Sequence, residues 1–166
     1  MVANVTTADR VAMKSLCEIS GLENVDAFYQ EMFKASLSYE GMTDEEIFNR
    51  VIKQYENTGT RCLIGCINAY DEEGARDLAE RMKAIMPEQV AKAGVNMAFA
   101  QISIFHDDLN ICYLVPSDEV AAEVVREAFR DDTAFDGTSF RFTPGFSRKK
   151  VLVPMLSDAL AMHPGE

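Results

Sequence analysis

Two apolar runs, VNMAFAQISIF (residues 95–105) and LNICYLV (residues 109–115), stand three residues apart, joined by the polar turn His106-Asp107-Asp108. Runs this apolar do not alternate as a half-solvated strand does, so they predict strands covered on both faces, and the short connection makes them a hairpin or close neighbours. A third run, RCLIGCINAY (residues 61–70), is a further buried strand. Between it and residue 95 lies a helical stretch from Asp71, with Ala75, Leu78, Met82 and Ile85 along one side. Pro87 is expected to bend or interrupt this helix before Gly94 ends it.

The flanks are helical. Thr6 or Thr7 caps a helix running to Ile19 and stopped by Gly21, and Asn24 opens a second with Phe28, Met32 and Ala35 at helical spacing. Thr43 and Glu46 form a capping box ahead of Ile47, Val51 and Tyr55, which predicts a third helix. Beyond the strands, Ser117 is expected to cap a helix with the stripe Ala121, Val124, Val125, Ala128 and Phe129. Asp136-Gly137 marks a turn, and Pro154 suits the first position of a terminal helix. The pattern predicts one α/β domain over residues 1–166: a mixed sheet of about five strands with helices on both faces, preceded by an N-terminal helical segment.

A formal net charge of -11 over 166 residues argues against nucleic acid and anionic membranes, which need a basic face. No segment reaches the roughly 18 uninterrupted apolar residues of a membrane span, so a soluble, cytoplasmic protein is expected. Cys17, Cys62, Cys66 and Cys112 sit in apolar runs with only His106 and His163 to assist, so no Cys/His metal set is expected and the thiols read as reduced core residues. Cys62 and Cys66 share a strand face at about 13 Å, too far for one ion.

Against this acidic background stands PGFSRKKVLVP (residues 144–154), with Arg148, Lys149 and Lys150 in succession. Three adjacent cations repel one another unless solvated or given an anion. Gly145 and Ser147 add flexible backbone and a hydroxyl, and an arginine can grip two phosphate oxygens at once. Taken alone, such a triplet is more often a solvated loop.

The segment FTPGFSRKKVLVPMLSDAL resembles the Ser-Arg-Lys-Lys stretch that closes the C-terminal domain of family II, manganese-dependent (DHH-type) inorganic pyrophosphatases. Similar stretches follow in the right order: TTADRVAMKSLCEISGL resembles the opening helix, VDAFYQEMFKASLSYEGMTDEEIF a lysine-bearing helix and its acidic cap, GCINAYD the first strand, and EVAAEVVREAF a late helix. The resemblance runs from about Thr6 to Ala161. It departs from the pattern at Val151, where a glutamine is usual, at Ser103, where an acidic residue is usual, and at the extra turn FDGTSFRF.

The resemblance implies the substrate-gripping half of a two-domain phosphohydrolase. Matched by motif, Lys34, Arg148 and Lys149 are the implied ligands of pyrophosphate or another polyphosphate anion, with Asn68, Ser147 and Lys150 in support. The metal-binding DHH domain is expected in cis or in trans, and with it manganese or magnesium. This chain has no Asp-His-His triplet, so no metal, cofactor or catalytic residue is assigned to it, and alone it is expected to be inactive. Exopolyphosphatases of the wider group carry the same type of domain. An alternative comes from residues 93–129, a strand pair and helix that look like a small-molecule-sensing ACT unit; that reading leaves the triplet unused.

Overall fold

In a computed structural model of the chain, described over residues 6–104, 110–130 and 134–162, the fold divides into two compact units, Met1–Ser38 and Tyr39–Glu166. The first holds two helices. Helix α1 (Thr7–Ser20) opens on Thr6, whose side chain accepts from the Asp9 amide while Asp9 caps the Thr6 amide in return, and Gly21, at φ 71°, ends it. Helix α2 (Val25–Ser36) is capped by Asn24.

The second unit runs α3 (Asp44–Asn49), β1 (Lys53–Asn57), β2 (Thr60–Ala69), α4 (Glu72–Ala93), β3 (Met97–Ile104), β4 (Ile111–Pro116), α5 (Glu119–Ala128), β5 (Phe140–Phe142) and α6 (Val153–Met162). The sheet has the order β1-β2-β3-β4-β5. Strands β2 and β3 are parallel, joined through α4, and every other pair is antiparallel. The expected mixed five-stranded α/β architecture is therefore present.

Side-chain alternation splits the core in two. One face buries Phe48, Ile67, Met82, Met86, Ile102 and Tyr113 with α3 and α4. The other buries Ile64, Phe99, Leu114, Val125, Phe140, Leu152 and Leu156 beneath α5 and α6. At roughly 1.5–3 kcal/mol per large apolar side chain removed from water, these two layers are the main favourable term. Both faces of β3 and β4 are covered, which is why their sequences lack alternation.

Several local expectations are corrected. The capping box at Thr43 and Glu46 opens a helix that stops at Asn49, not one reaching Tyr55. Residues 53–57 instead form β1, hairpinned to β2 through Thr58 (φ 48°) and Gly59 (φ 83°). Val51 and Tyr55 fit period 3.6 and period 2 equally, and the Thr58-Gly59 turn decides between them. Pro87 does not interrupt α4, which is continuous from Glu72 to Ala93. Asp118, not Ser117, caps α5; Ser117 is buried and its hydroxyl accepts from the Ala98 amide. Pro154 is the second residue of α6, because a π-helical turn over Arg148–Leu152 leads directly into it.

Among the described residues no helix is long and apolar enough to cross a membrane. His106, Asp107, Asp108 and His163 lie outside the described residues.

Candidate functional site

The basic triplet is not in a loop. Arg148, Lys149 and Lys150 form the first turn of the π-helical segment, and the Leu152 amide donates to the Ser147 carbonyl five residues back, at 3.2 Å. The Ser147 hydroxyl caps the turn by accepting from the Lys150 amide at 3.4 Å. Leu152 is fully buried, and Leu156, Ala159 and Leu160 carry the same anchoring along α6. The apolar positions thus fix the helix, while its first turn presents cations. A π-helical turn is rare, and such turns recur at functional sites.

The segment before the triplet is pinned to the sheet. The Gly145 amide donates to the Asn110 carbonyl at 2.6 Å, and a Cβ there would lie 2.9 Å from the Ile111 carbonyl carbon, so only glycine fits. The Phe146 carbonyl accepts from Gln101 Nε2 at 2.6 Å. The Phe146 ring stacks on Phe129 (5.2 Å, 10°) and meets Phe142 edge-on (4.8 Å).

The three cations differ in environment. Lys149 and Lys150 are exposed, whereas Arg148 is half-buried. Arg148 Nη1 donates to the carbonyls of Val51 at 2.9 Å and Ile64 at 3.3 Å. One nitrogen of the guanidinium is therefore committed to the backbone, which holds the side chain in one direction and leaves Nε and Nη2 as its remaining donors. The Cys66 thiol lies against it: burial pushes the Cys66 pKa up, and the charge and hydrogen bond of Arg148 oppose that rise.

Register places a polar row beside this arginine. Cys66 pairs with Gln101 and Asn68 with Ser103, all on the α5/α6 face, the second pair nearer the carboxyl ends of β2 and β3. Asn68 has an exposed side chain, and its backbone is clamped by Tyr39, whose hydroxyl donates to the Asn68 carbonyl at 2.9 Å and accepts from the Asn68 amide at 3.2 Å. Asp71 alone caps α4. Ser147 and the triplet are consecutive at the start of the π-helical turn, and Asn68 lies near the end of β2. Lys34 belongs to the last turn of α2, in the first unit.

Sequence reasoning missed Gln101, Cys66 and the Asn110–Gly145 bond. The glutamine in AFAQISI was the available signal, one amide in a run of buried apolar residues. The thiols are not uniform either. Cys62 and Cys112 are buried, and burial lifts both pKa values to about 11; Cys66 borders the arginine instead. Among the described residues no group of three or more His, Cys, Asp or Glu side chains could hold a metal ion.

Residues 30–159 match the family model described as the DHHA2 domain. A cobalt-dependent inorganic pyrophosphatase from Clostridium perfringens is 31% identical over 157 residues, which cover 93% of this chain and 27% of that protein. A manganese-dependent inorganic pyrophosphatase from Methanocaldococcus jannaschii is 25% identical, with 93% of this chain and 48% of that protein covered. The crystal structure of a Methanococcus jannaschii protein assigned to the family II inorganic pyrophosphatases superposes with a TM-score of 0.64 at 26% identity, over 93% of this chain and 48% of that one. The chain thus spans half or less of the length of these relatives.

Proposed function

This chain belongs to the DHHA2 domain family, the C-terminal part of family II inorganic pyrophosphatases, and on that premise we propose that it grips pyrophosphate through Arg148 and Lys149. The observation that carries the reading is the anchored guanidinium. Arg148 is held by two backbone carbonyls at the start of a π-helical turn continuous with α6, where the helix dipole also favours an anion. A cation fixed in advance needs no reorganisation when it neutralises charge on a phosphoryl or leaving oxygen. Lys149 and Lys150 add point charge in solvent, and Asn68 and Ser147 join as supporting hydrogen-bonding groups through the resemblance. Lys34 joins the proposal through its matching motif only.

Hydrolysis itself is assigned to a separate metal-binding DHH domain, in cis or in trans, which would hold manganese or magnesium and activate water. The described residues of this chain offer no donor set for that ion. Phosphate binding is this chain's share.

Isothermal titration with pyrophosphate in moderate salt tests the reading. Arg148→Lys keeps the charge but loses the fork that holds backbone and phosphate together, so affinity should fall by about 1–3 kcal/mol, or 5- to 150-fold. Lys149→Gln should weaken binding, and Lys34→Gln should do so if its motif carries the same role. Arg61→Lys, on an exposed arginine at the far end of β2, should change nothing. Equal affinities for all variants, or no binding by the wild-type chain, would return the triplet to a solvated surface feature.

A further inference from the structure

Gln101 occupies the middle of the central strand and is 2% exposed. Its neighbours along β3 are the apolar Met97, Ala98, Phe99, Ala100, Ile102 and Ile104, all buried. An amide in such a place is unfavourable unless every hydrogen-bonding group is matched. Both polar atoms of the Gln101 side chain have a partner. Nε2 donates to the Phe146 carbonyl at 2.6 Å, and Oε1 accepts from Cys66 Sγ at 3.6 Å. The thiol of Cys112 engages both the Gln101 side chain and the Phe146 backbone. Two thiols and one amide on three adjacent strands thus form a polar cluster beside Phe146, and the Gln101 amide is the member that donates to its carbonyl, two residues before Arg148.

We infer that Gln101 is a positioning residue: it fixes Phe146, sets the start of the π-helical turn, and so orients Arg148, without touching the anion itself. The inference rests on the reading that Arg148 binds phosphate. It goes further in assigning a function to a buried residue of β3 that the basic motif does not contain. An apolar side chain of the same size would pack as well against Phe99 and Leu114 on that face, yet it would leave the Phe146 carbonyl without its donor.

The test uses Gln101→Met in the full chain, with Ile102→Val, on the opposite face of the same strand, as a control for mild core destabilisation. Two readouts are taken: pyrophosphate affinity by titration, and amide hydrogen exchange at residues 150–152. Gln101→Met should weaken pyrophosphate roughly tenfold and speed exchange at residues 150–152 to a similar degree, with α5 amides unchanged. Ile102→Val should leave both as in wild type. If wild-type chain binds no pyrophosphate, the phosphate reading fails by itself, and the exchange data still decide whether Gln101 orders the turn. Unchanged affinity and exchange in Gln101→Met overturn the inference. So does an equal loss in Ile102→Val, because the effect would then be one of general stability.

Discussion

Gly145→Ala is the sharpest single perturbation of the proposed site. The added Cβ would lie 2.9 Å from the carbonyl carbon of Ile111, 3.0 Å from the amide nitrogen of Cys112 and 3.1 Å from Asn110 Oδ1. Two of these three atoms are backbone at the start of β4, which is paired on both sides, so the 144–147 segment has to retreat instead. Overpacking of this kind costs about 1–3 kcal/mol, and losing the 2.6 Å bond from the Gly145 amide to the Asn110 carbonyl adds about 0.5–1.5 kcal/mol. A total near 2–4 kcal/mol corresponds to a Tm lower by roughly 5–15 °C for a chain of this size. Retreat also drags Phe146 away from Gln101 and turns Arg148, so pyrophosphate affinity should fall in parallel. Gly74→Ala is the milder comparison: its Cβ meets only Asp71 Oδ1 at 3.2 Å, a side-chain atom that has to give by a few tenths of an ångström while still capping the Gly74 amide, and alanine's helix preference over glycine of up to about 1 kcal/mol offsets that cost. Urea unfolding and titration of both variants check the argument. A Gly145→Ala chain with wild-type midpoint and affinity would refute the close approach that the geometry demands.

Other outcomes follow from the same structure. Tyr39→Phe removes the hydroxyl that clamps both backbone groups of Asn68, and should cost about 1–2 kcal/mol in urea unfolding while leaving far-ultraviolet dichroism intact. Cys62 and Cys112 have folded pKa values near 11, above the ordinary 9.0, so the stability they contribute is present below pH 9 and lost as pH rises to 11. Cys112→Ala should accordingly lose less stability than wild type between pH 9 and 11, by up to about 2 kcal/mol. The hydrogen bond from Arg141 holds the Glu72 pKa below its ordinary 4.5, so its contribution is present above that pH and lost on acidification; Glu72→Gln should flatten the acid limb of the stability profile. A thiol reagent at pH 8 should modify Cys66 in native protein before Cys62 and Cys112, which should react only on unfolding.

The parts of the fold that were legible in sequence are those whose signal is repeated. The two runs at 95–105 and 109–115 announce doubly covered strands because apolar residues dominate both faces, with Gln101 and Ser103 the polar exceptions in β3, and β3 and β4 fulfil this. Capping residues Thr6, Asn24 and Thr43 were readable because each marks its helix with a short polar side chain at one fixed offset. Strand β1 was not readable. Its KQYEN sequence is polar with one aromatic, and its identity comes from pairing Lys53–Asn57 against Ile64–Thr60, a tertiary fact that overrides the weak helical spacing of Val51 and Tyr55.

The candidate site divides along the same line, and the division has a physical cause. Arg148, Lys149 and Lys150 stand out in a chain of net charge -11 because charge is a one-dimensional signal, visible wherever the residues sit. What makes Arg148 different from Lys149 is invisible at that level. The guanidinium is held by the carbonyls of Val51 and Ile64, 97 and 84 residues away, and backbone carbonyls have no sequence signature. The side chain that orders the turn, Gln101, is 45 residues from its target and reads as one blemish in an apolar strand. A buried amide among apolar neighbours is nevertheless a constraint: since its hydrogen bonds have to be made somewhere, its presence predicts an irregular backbone segment crossing that face of the sheet. Here that segment is residues 144–147, and the cations it delivers are the ones the motif had marked.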